Sequence, residues 1–272
     1  MRLCAFGDSW TEGVGGNIDV ESKITNDLEK TQYRNQHAWP KVLSDLLDIP
    51  HINYGEAGSS NKQIFDRIID LVKSYKISQN DLVVIMWSST LRDSVPFFPT
   101  DEWHVWGVKY LEEQHKTKWF THNKFSKNPT YNEFLIDFKE FFVRELYTQN
   151  YYNIINQNYI LFIQSLFEYY GINYIFCDAF DMMIDNMRFE DDKTNLINKS
   201  NYWEFGNLTF KQFLINLDDK NVWESPQYNI LNVPGMHPSK LGYKLIGEEL
   251  FKFITETNII KPTSSKQIKI LY

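Results

Sequence analysis

Arg2-Leu3-Cys4-Ala5-Phe6-Gly7-Asp8-Ser9-Trp10-Thr11-Glu12-Gly13 is the stretch on which the fold turns. A short apolar run stops at a glycine, and a serine follows two residues later. The pattern reads as a buried strand ending in a tight turn that lifts Ser9 out of the backbone. A serine at the carboxyl end of the first strand of an α/β sheet stands where such sheets place their active sites. By itself Gly-x-Ser is also an ordinary turn, so the remainder of the chain has to choose between the two.

Downstream, the polar stretch to Gln36 reads as loop with one short helix. Trp39, Val42, Leu43, Leu46 and Leu47 have the spacing of one helical face, and Pro40 suits the first turn. His51 to Tyr54 is a short strand closed by the Gly55–Asn61 turn, and Ile64, Ile68, Ile69, Leu71 and Val72 mark a second amphipathic helix to about Tyr75. Asp81 to Trp87 is the clearest buried strand. Strand and helix alternating in this way predict a parallel sheet with right-handed crossovers.

Between Asp93 and about Pro129 the periodicity fails. Phe97, Phe98, Trp103, Trp106, Tyr110, Trp119 and Phe120 crowd together with His104, His115 and His122. Such a segment reads as a lid or an insertion, and the histidine spacings match no metal-binding pattern. Residues 131–170 read as two helices broken near Asn150, and Ile172 to Asp178 as a fourth strand. A second irregular aromatic segment runs over 179–227, followed by a short fifth strand, Tyr228 to Leu231, and a final helix from Lys240 to about Thr255. No repeat or composition break marks a second domain. The expectation is one domain over 1–260 with insertions at about 93–130 and 179–227, and a solvated basic tail at 261–272.

The 272 residues carry a net charge of −7, which argues against a general nucleic-acid binder. No apolar run reaches the roughly 18 residues of a membrane span, and no signal peptide is visible. Cys4 and Cys177 each fall inside an expected strand and read as buried free thiols of a reducing compartment. A cytoplasmic location is expected.

Three short segments sit on turns at strand ends or before a helix: Gly7-Asp8-Ser9-Trp10, Gly55 to Asn61, and Gly235-Met236-His237-Pro238-Ser239. The loops after parallel strands gather on one edge, which makes Ser9 and His237 neighbours despite their separation. A neutral imidazole within reach turns a serine into a nucleophile. The backbone N–H groups of Ser9 and Gly58 are candidate oxyanion donors. Asp8 is expected to bond its own turn. Arg92 either clamps an anionic substrate or faces solvent, and solvent is the expected reading.

On these three segments, with Gly242-Tyr243 and the His37-Ala38-Trp39-Pro40 helix, the chain resembles the SGNH/GDSL hydrolase family. The resemblance implies an α/β fold of flavodoxin-like type, a three-layer α/β/α sandwich with a five-stranded parallel sheet. It implies Ser9 as nucleophile, His237 as general base and Gly58 as oxyanion donor. The implied activity is hydrolysis of esters or thioesters, often acetyl groups on carbohydrates. Two positions depart from the family pattern. Ser88 or Ser89 stands where an asparagine amide usually completes the oxyanion hole, leaving Ser88, Ser89 and Asn61 as candidates for that donor. Pro234 stands where an aspartate usually orients the histidine, leaving a backbone carbonyl, one of Asp178, Asp181 or Glu224, or no partner at all.

The sequence thus predicts a Ser–His esterase acting on a small-molecule ester or acylated carbohydrate, with no cofactor, no metal, no nucleic acid and no membrane partner. Its rivals are a carbohydrate-binding protein on the same scaffold with a decayed catalytic set, and an acyltransferase.

Overall fold

The computed structural model describes residues 1–16, 18–90, 92–97, 102–107, 149–180, 183, 195–217, 222 and 237–260. In chain order the elements are β1 (Arg2–Gly7), α1 (Ser9–Glu12), α2 (Ile18–Glu21), α3 (Asp27–Asn35), α4 (Trp39–Leu47), β2 (His51–Gly55), α5 (Asn61–Lys73) and β3 (Asp81–Trp87). They continue with β4 (Arg92–Phe97), β5 (Glu102–Gly107), α6 (Gln149–Tyr170), β6 (Asn173–Asp178), a 3-10 turn (Lys199–Asn201), α7 (Phe210–Asn216) and α8 (Lys240–Thr257).

Strands β2-β1-β3-β6 form a sheet in that order, and every pair is parallel. Side chains alternate across it. Leu3 and Ala5 of β1, Leu82, Val84 and Met86 of β3, and Ile175 and Cys177 of β6 face a core shared with α4, α7 and α8. Cys4 and Phe6, Val83, Ile85 and Trp87, and Tyr174 and Phe176 face a second core shared with α5 and α6. Helices therefore cover both faces, which gives the three-layer α/β/α sandwich. It is also why β1 and β3 are apolar runs instead of alternating ones. Four strands make up this sheet among the described residues, against the five expected; the fifth, at 228–231, lies outside them. Tyr202 adds a one-residue bridge beside Phe176 of β6.

The chain leaves β1 for β2 on one side and then crosses to β3 on the other, so the topological switch point lies between β1 and β3. Ligands of open α/β sheets bind at the carboxyl ends of the strands at such a point. Ser9 follows β1 directly, and Ser88 follows β3.

Local structure departs from the sequence reading in three places. The stretch to Gln36 holds two helices, α2 and α3, and α3 is started by Asn26, whose side chain accepts from the Leu28 and Glu29 N–H groups. That helix buries none of its residues, so it carries no apolar stripe to read. The first insertion begins with an antiparallel hairpin, β4 paired with β5, in which Pro96 lies opposite Trp103. A proline is tolerated in a two-stranded ribbon because one edge needs no donor. The second insertion contains α7, closed at its start by a reciprocal capping box between Thr209 and Gln212. Asn150 lies within α6, which runs unbroken from Gln149 to Tyr170; the residues before Gln149, where the preceding helix is expected, and the basic tail fall outside the described residues.

Candidate active site

Local chemistry at the end of β1 fixes the first group. The Asp8 side chain caps α1 by accepting from the Trp10 N–H at 3.0 Å, and the Asp8 carbonyl accepts from the Thr11 and Glu12 N–H groups at 3.0 and 2.9 Å. Ser9 is the first residue of this one-turn helix and is 5% exposed. A Cβ on Gly7 would collide with Thr11 Oγ1 and lie 2.9 Å from Met86 O, so only glycine lets the turn close here. Gly13 ends the helix in the left-handed region, at φ 93°.

His237 arrives from the other end of the chain. Ser239 caps α8 by accepting from the Gly242 N–H at 3.3 Å. The Ser239 N–H donates to Val222 O at 2.9 Å, and a side chain at Gly242 would strike that same carbonyl. Buried Tyr243, in the first turn of α8, donates its hydroxyl to Val14 O at 2.6 Å and reaches Ser9 O at 3.5 Å. The start of α8 is thus fastened to the serine turn. Across 228 positions of sequence, His237 Nε2 lies 3.0 Å from Ser9 Oγ. The structure brings this predicted pair together.

The second loop follows β2. Gly55 lies so close to the α1 backbone that a Cβ there would meet Glu12 N and lie 2.6 Å from Thr11 C. The Glu12 carboxylate pairs with Arg34 and accepts from the Ala57 N–H at 2.6 Å, which ties this loop to the serine helix. Gly58 is buried with φ 85°. Neither its N–H nor that of Ser9 has an acceptor among the described residues.

Ser88 and Asn61 have partners that the sequence reading did not anticipate. Ser88 is fully buried, and its hydroxyl donates to Asp8 Oδ2 at 2.7 Å; that proton is committed. Asn61 accepts from the Ser88 N–H at 2.7 Å, while its Nδ2 lies 3.2 Å from Ser88 O and 3.0 Å from Met183 Sδ. Its amide braces the end of β3. Ser89 is half-buried, and its carbonyl accepts from the Arg92 N–H at 3.1 Å. Of the carboxylates considered for orienting His237, Asp178 accepts from the Tyr202 hydroxyl at 2.7 Å and the Met183 N–H at 3.2 Å. Burial, and then the Asp178 charge, hold the Tyr202 phenol well above its usual range, so it donates as a neutral group. Asp181, Glu224 and Pro234 lie outside the described residues.

Arg92 does not simply face solvent. Its Nη1 donates to Asp8 Oδ2 at 2.7 Å and to Ser88 Oγ at 3.0 Å, and its guanidinium carbon lies 5.3 Å from the centre of the Phe180 ring. Asp8 bonds its own turn as expected, and this cation besides. No sequence signal marked the pair, because Asp8 and Arg92 are 84 positions apart and meet only once β1 and β3 are side by side.

The model of a family of unknown function, DUF6071, matches residues 20–194, a span that contains neither Ser9 nor His237. No curated protein matches the chain. Among solved structures, the chain is similar to a protein assigned to the G-D-S-L lipolytic family from Desulfitobacterium hafniense DCB-2, with 17% identity, a TM-score of 0.46, and 93% of this chain and 98% of that one covered. It is likewise similar to a member of the lipolytic G-D-S-L family from Veillonella parvula DSM 2008, with 14% identity, a TM-score of 0.42, and 94% and 98% covered. A third is a catalytic mutant of the acetylxylan esterase Axe2 from Geobacillus stearothermophilus, with 14% identity, a TM-score of 0.44, and 93% of each chain covered.

Proposed function

For this chain, which belongs to DUF6071, a family of unknown function, we propose hydrolysis of small acyl esters through an acyl-enzyme on Ser9. The observation that carries the reading is the 3.0 Å approach of His237 Nε2 to Ser9 Oγ at the carboxyl end of a central parallel strand. In the neutral ring with its proton on Nδ1, Nε2 accepts the Oγ–H. Oγ attacks the acyl carbon as Nε2 takes the proton, and the carbonyl electrons move onto oxygen. The backbone N–H groups of Ser9 and Gly58 are the donors we assign to that oxyanion. Collapse expels the alcohol, which takes the proton from Nε2. Water, deprotonated by the same nitrogen, then releases the acid and restores Ser9.

The substrate class we propose is a short-acyl ester of a carbohydrate, as the sequence resemblance implies. With the Ser88 hydroxyl donating to Asp8 and the Asn61 amide bound to Ser88, the proposed oxyanion hole is made of backbone.

A fluorophosphonate probe, which forms a stable adduct with an activated serine, tests the reading. The native chain is expected to label, Ser9→Ala not at all, and His237→Ala more slowly by about 100-fold or more, the range for loss of a general base. Release of acetate from an acetylated oligosaccharide tests the substrate class. Absence of Ser9-dependent labelling, together with no hydrolysis of p-nitrophenyl acetate, would refute the enzyme and leave a binding protein.

A further inference from the structure

We propose that Arg92 is a positioning residue for the nucleophile, acting on both neighbours of Ser9. The inference rests on the reading of Ser9 given above and goes beyond it.

Asp8 is fully buried, and its carboxylate takes donors from three elements: the Trp10 N–H at 3.0 Å, the Ser88 hydroxyl at 2.7 Å and Arg92 Nη1 at 2.7 Å. The first sets the direction of α1, on which Ser9 is the leading residue. The other two hold the carboxylate to the ends of β3 and β4. Arg92 also reaches the far side of Ser9. Its guanidinium lies over Phe180, and Phe180 packs edge-on against the Trp10 ring with centroids 4.8 Å apart. Asp8, Arg92, Phe180 and Trp10 therefore form a closed circuit of contacts, and Ser9 is the residue between its two chain-adjacent members.

The circuit has an electrostatic side as well. A fully buried ionised carboxylate needs a paired charge, and among the described residues Arg92 is the cation that supplies it. Without it, an uncompensated negative charge would sit one residue from the atom on which negative charge develops during attack. The effect is specific to the transition state, since a neutral ester in the ground state carries no such charge. Ser88 completes the arrangement: a hydroxyl can donate to Asp8 and accept from Arg92 at once, which an asparagine amide nitrogen cannot. Ser88, one of the two serines standing where the SGNH/GDSL resemblance implies an asparagine, thus has a role set by the arginine four positions on.

Arg92→Met, Arg92→Lys and the double variant Asp8→Asn/Arg92→Met test this in the full chain. The readouts are Ser9-dependent fluorophosphonate labelling, kcat and KM for p-nitrophenyl acetate, and melting temperature. Arg92→Met is expected to slow labelling by about 100-fold, the scale of a displaced reacting group, with the loss in kcat and not in KM. Arg92→Lys, which keeps the charge, is expected to stay within about tenfold of the native rate. The double variant removes the stranded charge and is expected to regain at least about tenfold over Arg92→Met. If Arg92→Met fails to fold, the lysine and double variants decide the matter. The proposal is overturned if Arg92→Met labels at the native rate. It is also overturned if the double variant recovers melting temperature without recovering labelling, since a stranded charge would then not be what slows Ser9. A native chain that never labels removes the nucleophile itself, an outcome distinct from both.

Discussion

Asn61 has two readings, and replacing it separates them. As an oxyanion donor it would act only in the transition state, and its loss would cost about 2.7–4 kcal/mol of barrier with little change in stability. The structure gives it a different job: its Oδ1 accepts from the buried Ser88 N–H at 2.7 Å and its Nδ2 donates to Ser88 O at 3.2 Å. In Asn61→Ala the fully buried Ser88 N–H loses its acceptor, about 1–3 kcal/mol. The lost donation to Ser88 O adds about 0.5–1.5 kcal/mol. The sum, about 1.5–4.5 kcal/mol, corresponds to a fall in melting temperature of roughly 3–18 °C for a chain of this size. Urea denaturation at 25 °C measures the first quantity, and fluorophosphonate labelling well below the transition measures the second. The expected result is a clear loss of stability with labelling slowed by less than about tenfold. Unchanged stability with labelling slowed by about 100-fold or more would refute the brace and return Asn61 to the oxyanion hole.

Other outcomes follow from the same geometry. Gly55→Ala puts a Cβ against the Glu12 and Thr11 backbone, which cannot yield as a side chain tip would; a loss of about 1–3 kcal/mol and slower Ser9 labelling are expected, and native values for both would refute the close approach. Phe210 is fully buried and stacked on Trp203 with centroids 3.9 Å apart; Phe210→Ala should cost about 3–5 kcal/mol in urea denaturation, and a cost under about 1 kcal/mol would contradict that packing. Burial holds His37 below the usual imidazole range, opposed by its bond to Gly13 O and assisted by nearby Lys240. The unfolded chain therefore binds the proton first as pH falls, so stability drops below about pH 6.5 until the folded histidine also titrates. His37→Gln should show a shallower fall in urea midpoint between about pH 7.5 and 5.5 than the native chain; an equal fall would exclude His37 as a source.

The two halves of the site differed in how far they were readable from sequence. The Ser9–His237 pair was legible from two turns, one after the apolar run of β1 and one just before the last helix, because loops beyond the carboxyl ends of a parallel sheet gather on one edge. Gly242 and Tyr243 are legible as a pattern, but their work exists only in three dimensions, as a gap for the Val222 carbonyl and a bond to Val14 O. The capping box of α7, Thr209 with Gln212, was a readable signal inside a segment whose aromatic crowding suggested irregularity.

Sequence by itself determined the sandwich and the serine's place in it. Apolar runs such as Leu82 to Trp87 can be satisfied only between two helical layers, and a glycine-bounded turn after such a run can lead only to the sheet's carboxyl edge. Tertiary structure alone decided how the serine turn is held. Whether Ser88 donates to an oxyanion or to Asp8, whether Asn61 braces β3, and whether Arg92 meets water or a carboxylate are choices among polar partners far apart in the chain. Each is settled by the packing of β1 against β3, which sets the buried donors and acceptors that come within reach of one another, and neither composition nor spacing encodes which they are.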